Sequence, residues 1–249
     1  MADDARWGTR EGVLRAVMRV PDLMRHRVWR DADPGQGGGT GVVLVPGFGA
    51  GRVSLVPAAA WLRARGYRPV IARVGFTVGC TADLLAKVLR NTEELAESTG
   101  RPVVLLGQSR GGGLARLVAA RRPDLVRGLV MMACPVLDPL GAHPDVLRFV
   151  RWLTRLAAAG VPGLLDDDCL SGPCYEEHMP SLALPLSVPA VSIFSRADGV
   201  VQWQLCQDPY AECVEVHSTH TGMGFDPQVY EVLGPRLADW ARSGSEVTA

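Results

Sequence analysis

The sequence predicts an α/β fold: a mostly parallel central sheet, helices on both of its faces, and one mainly helical insertion. Three observations predict it. Short runs rich in Val, Ile and Leu alternate with longer segments of helical period, the signature of strands joined by crossover helices. Hydrophobic residues make up 47% of the 249, enough for one large core, while 26 basic and 26 acidic side chains cancel. The alternation then breaks for about fifty residues between Cys134 and Pro185, and an excursion that long inside a compact domain marks a functional lid.

Residues 1–40 read as a helical, arginine-rich lead-in and a linker. Val13, Leu14, Val17, Met18, Leu23, Met24, Val28 and Trp29 recur at three- and four-residue steps, with arginines between them. A helix packed on the domain with a solvated basic face fits this pattern; an interfacial helix on lipid or on an anionic carrier protein is the alternative. Asp31 to Gly41 has the composition of a flexible linker.

The main body is expected in two pieces, 41–134 and 186–249, with the cap at 135–185. Its strands are predicted at 42–45, 69–74, 102–106, 126–133, 190–195 and 213–217. Between them helices are predicted at 55–65, ended by Gly66, and at 81–98, closed by Gly100. Another begins after Ser109, and a terminal helix covers 227–241. The cap carries a helix at 145–159 and then an irregular stretch with the acidic run Asp166-Asp167-Asp168.

Several classes are excluded. The balanced charge gives no basic surplus for nucleic acid. The apolar run Leu129–Leu137 is too short to span a bilayer and contains Pro135, so no transmembrane segment is expected. Met1-Ala2-Asp3-Asp4 lacks the basic start of a secretory signal, which favours a cytoplasmic location. Cys80, Cys134, Cys169, Cys174, Cys206 and Cys213 are then expected as free thiols, with a Cys169–Cys174 loop as the exception. No Cys-x-x-Cys or His-x-x-x-His spacing supports a zinc site.

Gly107-Gln108-Ser109-Arg110-Gly111 carries the chemistry. It comes after the apolar run 102–106 and opens a small-residue helix, so a strand, a sharp turn and a helix meet at Ser109. A Gly-x-Ser-x-Gly nucleophile elbow requires that context. A serine hydroxyl needs a base, and the base needs an acid to orient it. Asp198 comes after the 190–195 strand in Arg196-Ala197-Asp198-Gly199 and is the expected acid, with Asp138 as the alternative. Of His26, His143, His178, His217 and His220, only the last two lie beyond Asp198. His217 continues a strand, whereas His220 sits on a loop before the terminal helix and is the expected base. The oxyanion donors are expected to be the backbone N–H groups of Arg110, just after the serine, and Phe48, in Pro46-Gly47-Phe48-Gly49. Arg110's side chain is expected in a structural ion pair.

Pro46-Gly47-Phe48-Gly49, Gly107 to Gly112, Ser195 to Val201 and His220-Thr221-Gly222-Met223 together resemble the α/β-hydrolase superfamily over residues 40–242. More narrowly they resemble the lipase- and esterase-like hydrolases common in actinobacteria. Pro46 departs from the pattern, since many relatives carry histidine before the glycine. The resemblance implies a serine hydrolase acting on a small-molecule ester or acyl substrate, with no metal or organic cofactor. Apolar cap residues (Val146, Leu147, Phe149, Val150, Trp152, Leu153, Leu156, Leu164, Leu165 and Leu170) suit a lipid-like or polyketide-like acyl group, or form the cap's own core. The same three residues also serve acyl transfer, thioester cleavage or ester elimination, with an acyl carrier protein as a partner. A non-catalytic binding protein is the remaining alternative, disfavoured by the intact serine, acid and histidine.

Overall fold

The computed structural model describes residue 12 and residues 16–243. Its centre is a six-stranded sheet in which every neighbouring pair is parallel. The strands are β1 (Gly41–Val45), β2 (Arg68–Ile71), β3 (Val103–Gln108), β4 (Val126–Met132), β5 (Ala190–Phe194) and β6 (Glu212–Glu215), in the order β2-β1-β3-β4-β5-β6. The chain starts near the middle of the sheet, winds to one edge, returns, and winds to the other.

Burial on both faces explains why residues 42–45 of β1 and 103–106 of β3 are apolar at consecutive positions rather than at alternate ones. Val42, Leu44, Val104, Leu106, Val130 and Met132 point to one face, where they meet α3 (Val56–Ala64) and α9 (Pro227–Arg242). Val43, Val45, Val103, Leu105, Leu129 and Met131 point to the other, against α4 (Thr81–Thr99) and α5 (Arg110–Arg121). A one-residue change of register would exchange the two sets.

Helix ends obey local chemistry. Gly100 closes α4 at φ 67°, where its N–H reaches the Ala96 and Glu97 carbonyls. Asp226 caps α9 by accepting the Gln228 N–H, with Pro227 in the first turn. Arg19 reaches the same carboxylate at 2.8 Å and ties the lead-in to the body.

The lead-in differs from one continuous helix. It forms α1 (Val20–Arg25) and α2 (Arg27–Arg30), separated by His26 in an extended conformation; Val13 and Leu14 lie outside the described residues. Leu23 is fully buried, and the Val28 carbonyl accepts from Trp61 Nε1 at 2.7 Å. The segment read as a linker packs as turns against the end of α3. Gly37 and Gly39 N–H groups donate to the Arg65 and Gly66 carbonyls at 2.7 and 2.9 Å. Glycine composition there serves close packing: a Cβ on Gly37 would lie 2.6 Å from Tyr67 N.

Between β4 and β5 the chain builds α6 (Pro144–Ala158), α7 (Asp168–Ser171) and α8 (Pro173–His178). Leu153, Leu165, Cys169 and Cys174 form a small core of their own, packed on Phe48, Val78, Cys80 and Ala82 of the main body. No helix among the described residues is long and apolar enough to cross a membrane.

Candidate active site

β3 runs directly into Ser109, which adopts φ 51° and ψ −126°. Side chains other than glycine rarely occupy that region, so the turn holds strain at this residue. Its glycine neighbours are required by contact rather than by dihedral freedom. A Cβ on Gly107 would collide with the Gly111 carbonyl, and one on Gly111 with the Val45 and Pro46 carbonyl oxygens. The Ser109 N–H donates to the Met132 carbonyl at 2.8 Å, pinning the turn to the adjacent strand.

Asp198 and His220 meet beside this turn. Asp198 Oδ2 lies 2.8 Å from His220 Nδ1, and both residues are buried. The other carboxylate oxygen accepts the N–H groups of Val200 and Val201, each at 2.8 Å, which fixes its orientation. Ser195 Oγ accepts from Ala197 N–H at 3.1 Å and from Ser218 N–H at 3.2 Å, joining the acid loop to the histidine loop. Gln108 Nε2 donates to the His220 carbonyl at 2.8 Å, so the histidine loop is anchored to the residue just before Ser109.

The competing residues are placed elsewhere. Asp138 is exposed, and its Oδ1 accepts the Leu140 N–H. His217 is exposed and lies two residues beyond β6, which ends at Glu215 rather than continuing to the histidine. His26 and His143 cap α2 and α6 through their ring nitrogens, and His178 is buried in the cap.

The two expected oxyanion donors flank the turn. Gly47 packs so tightly that a Cβ there would stand 3.3 Å from Ser109 Cβ. Phe48 and Arg110 line the same cleft as Ser109. Arg110 is the first residue of α5, and a helix's first N–H has no acceptor within the helix.

The Arg110 side chain departs from expectation. Among the described residues it has no carboxylate partner; it donates to the Thr77 and Gly79 carbonyls at 2.8 and 2.9 Å and to Thr81 Oγ1 at 3.1 Å. The reason is local: Thr77, held at φ 58°, turns its carbonyl toward the guanidinium, and no acid lies in that loop. Burial lowers the Arg110 pKa, against an opposing pull from the Cys169, Cys80 and Cys174 thiols. All six cysteines are free, Cys169 and Cys174 included.

The cleft beside Ser109 has a cavity volume of about 130 Å³. Leu114 and Leu117 of α5 line it, together with Val136, Val146, Leu147, Val150, Leu165 and Leu170 of the segment between β4 and β5. Leu153 instead fills the cap's core, while Phe149 and Trp152 stack on each other at 5.7 Å on the exposed side. The apolar residues of this segment thus divide among lining, internal packing and the exposed surface.

Sequence reasoning missed Gln108 and Ser195 as positioning groups. Gln108 was visible only as the variable residue of the elbow, and nothing local signals a bond to a carbonyl 112 positions away.

Comparison with known proteins agrees with this architecture. A lipase of Bacillus licheniformis in mature form superposes with a TM-score of 0.62 at 16% identity, covering 80% of this chain and 91% of the lipase. The thioesterase domain of the curacin biosynthetic pathway gives 0.54 at 16% identity, over 83% and 92% of the two chains. A monoacylglycerol lipase of Paleococcus ferrophilus gives 0.53 at 15% identity, over 85% and 96%. No curated protein sequence matches the chain. At these identities the likeness is one of fold. The sequence profile of the alpha/beta hydrolase family, however, matches residues 42–247, most of the chain, and on that extent of match the chain belongs to the alpha/beta hydrolase family.

Proposed function

We propose that this hydrolase cleaves a carboxylic ester bearing an apolar acyl group, through an acyl-enzyme on Ser109. The observation that carries the reading is the strained serine lining an apolar cleft, with a buried Asp198–His220 pair anchored beside it.

Asp198 at Nδ1 keeps the ring proton on that nitrogen, which leaves Nε2 as the base. His220 takes the Ser109 proton as the hydroxyl oxygen attacks the ester carbonyl, then returns it to the departing alkoxide. A water, deprotonated by the same nitrogen, attacks the acyl-enzyme; His220 then returns that proton to Ser109 Oγ as the acyl–Oγ bond breaks and the acid leaves. Charge on the tetrahedral oxygen is met by the Phe48 and Arg110 N–H groups. The mechanism uses no metal or organic cofactor.

The lining residues Val146, Leu147 and Val150 favour a medium or long acyl chain over acetate, because each buried methylene contributes about 0.8 kcal/mol. Thioester cleavage needs the same residues with a different leaving group, and the likeness to a thioesterase domain keeps a carrier-bound acyl chain as the second reading. Acyl transfer and elimination would call on the same three side chains and differ in their products. A series of p-nitrophenyl esters and acyl thioesters, with product identification, tests both readings. A rise in kcat/KM with acyl length supports the first, and preference for thioesters the second. No turnover of either, by folded protein, would contradict the proposal.

A further inference from the structure

Cys80, Cys169 and Cys174 converge from distant parts of the chain. Cys80 ends the loop before α4, in the main body, whereas Cys169 and Cys174 lie in α7 and α8 of the cap. Cys80 Sγ is 3.7 Å from Cys174 Sγ, which is 3.8 Å from Cys169 Sγ, and all three atoms lie within 4.8 Å of one another. Four sulfurs placed tetrahedrally about 2.3 Å from a zinc ion are separated by about 3.8 Å. A disulfide requires about 2.05 Å and would leave the third thiol over.

A second observation is electrical. The half-buried Arg110 guanidinium lies against this cluster and, among the described residues, has no carboxylate partner. A cation partly withdrawn from water is stabilised by a nearby anion. Three thiolates around a divalent ion carry a net charge of minus one, which the guanidinium would offset.

We propose that Cys80, Cys169 and Cys174 bind a thiophilic divalent ion of the zinc class, neutralised by Arg110, which staples the cap to the main body. Binding converts three thiols and one divalent ion into a tris-thiolate complex and releases three protons to solvent; nothing is oxidised or reduced. Water completes the tetrahedron. The ion holds α7 and α8 in place over the cleft and takes no part in ester chemistry. The absence of any zinc spacing in the sequence is accounted for by ligands 89 and 5 residues apart, supplied by three separate elements.

The test is anaerobic titration of the reduced, full-length protein with Co²⁺, and then competition with Zn²⁺. The expected result is one equivalent bound, with sulfur-to-cobalt charge-transfer absorption that Zn²⁺ abolishes. Cys80→Ser, Cys169→Ser and Cys174→Ser should each weaken binding at least ~10-fold, while the exposed Cys213→Ser leaves it unchanged. Should a variant fail to fold, alkylation mapping of the wild type decides instead: Zn²⁺ should protect Cys80, Cys169 and Cys174 and leave Cys213 reactive. Absence of the charge-transfer band in folded wild type, or a band and protection pattern indifferent to these three cysteines, would overturn the proposal. So would a disulfide within the cluster in the protein as isolated, shown by an intact mass two daltons low and a peptide map that joins two of these three cysteines.

Discussion

The proposed Ser109, Asp198 and His220 could be named from the sequence because the chemistry proposed for them dictates order and context: an elbow between strand and helix, an acid after a late strand, a histidine on a later loop. The side chains that aim them were not. Ser195 and Gln108 act through bonds across loops, and no local pattern reports such bonds. In the proposed mechanism Ser109→Ala should lower kcat by roughly 10⁵- to 10⁶-fold without altering the far-ultraviolet spectrum. Asp198→Asn should cost about 10⁴-fold, since the amide no longer secures the proper tautomer. Steady-state kinetics on folded variants checks both. A decrease below about tenfold for Asp198→Asn would reject its assignment as the orienting acid.

At the scale of elements, periodicity and caps located the strands and helices to within a few residues, with larger differences where tertiary contacts decide. The second strand was expected to run to Val74, yet β2 ends at Ile71, where pairing with β1 ends. The lead-in breaks at His26, whose ring accepts the Val28 N–H and starts a new helix. The elbow's dependence on bare backbone gives a sharp prediction. Gly111→Ala should lower stability by about 1–3 kcal/mol or more, because the collision is with backbone that cannot rotate away. A urea melt indistinguishable from wild type would contradict that packing. Phe149 links α6 to the Phe48 loop after β1 through an edge-to-face contact with Phe48 at 6.0 Å. Phe149→Ala should therefore raise KM for long acyl esters more than for short ones, by a few-fold, as comparison of the two ester series would show.

Across the whole molecule, the feature least readable from sequence is the ion pair between Arg116 and Asp208. Arg116 Nε donates to Asp208 Oδ2 at 2.5 Å, both side chains are buried, and Arg116 also reaches the Leu184 carbonyl at 3.0 Å. Arg116, 92 residues before Asp208 in sequence, thus joins α5 to the segments on either side of β5. Asp208→Ala should destabilise by about 3–5 kcal/mol because it leaves a buried guanidinium unpaired. Replacing both partners by apolar residues should recover much of that loss in urea unfolding. Burial also governs the thiols: it pushes Cys134 and Cys206 well above the ordinary thiol range. A disulfide reagent at about pH 8 should accordingly react with the exposed Cys213 first, and with Cys134 and Cys206 only after denaturation.

The central claim, an activated Ser109, is tested most directly by intact mass after incubation with a fluorophosphonate, on wild type and on folded Ser109→Ala. The account predicts one stoichiometric adduct on wild type, mapped to the peptide carrying Ser109, and none on the variant. No adduct on folded wild type, or an equal adduct on Ser109→Ala, would contradict it.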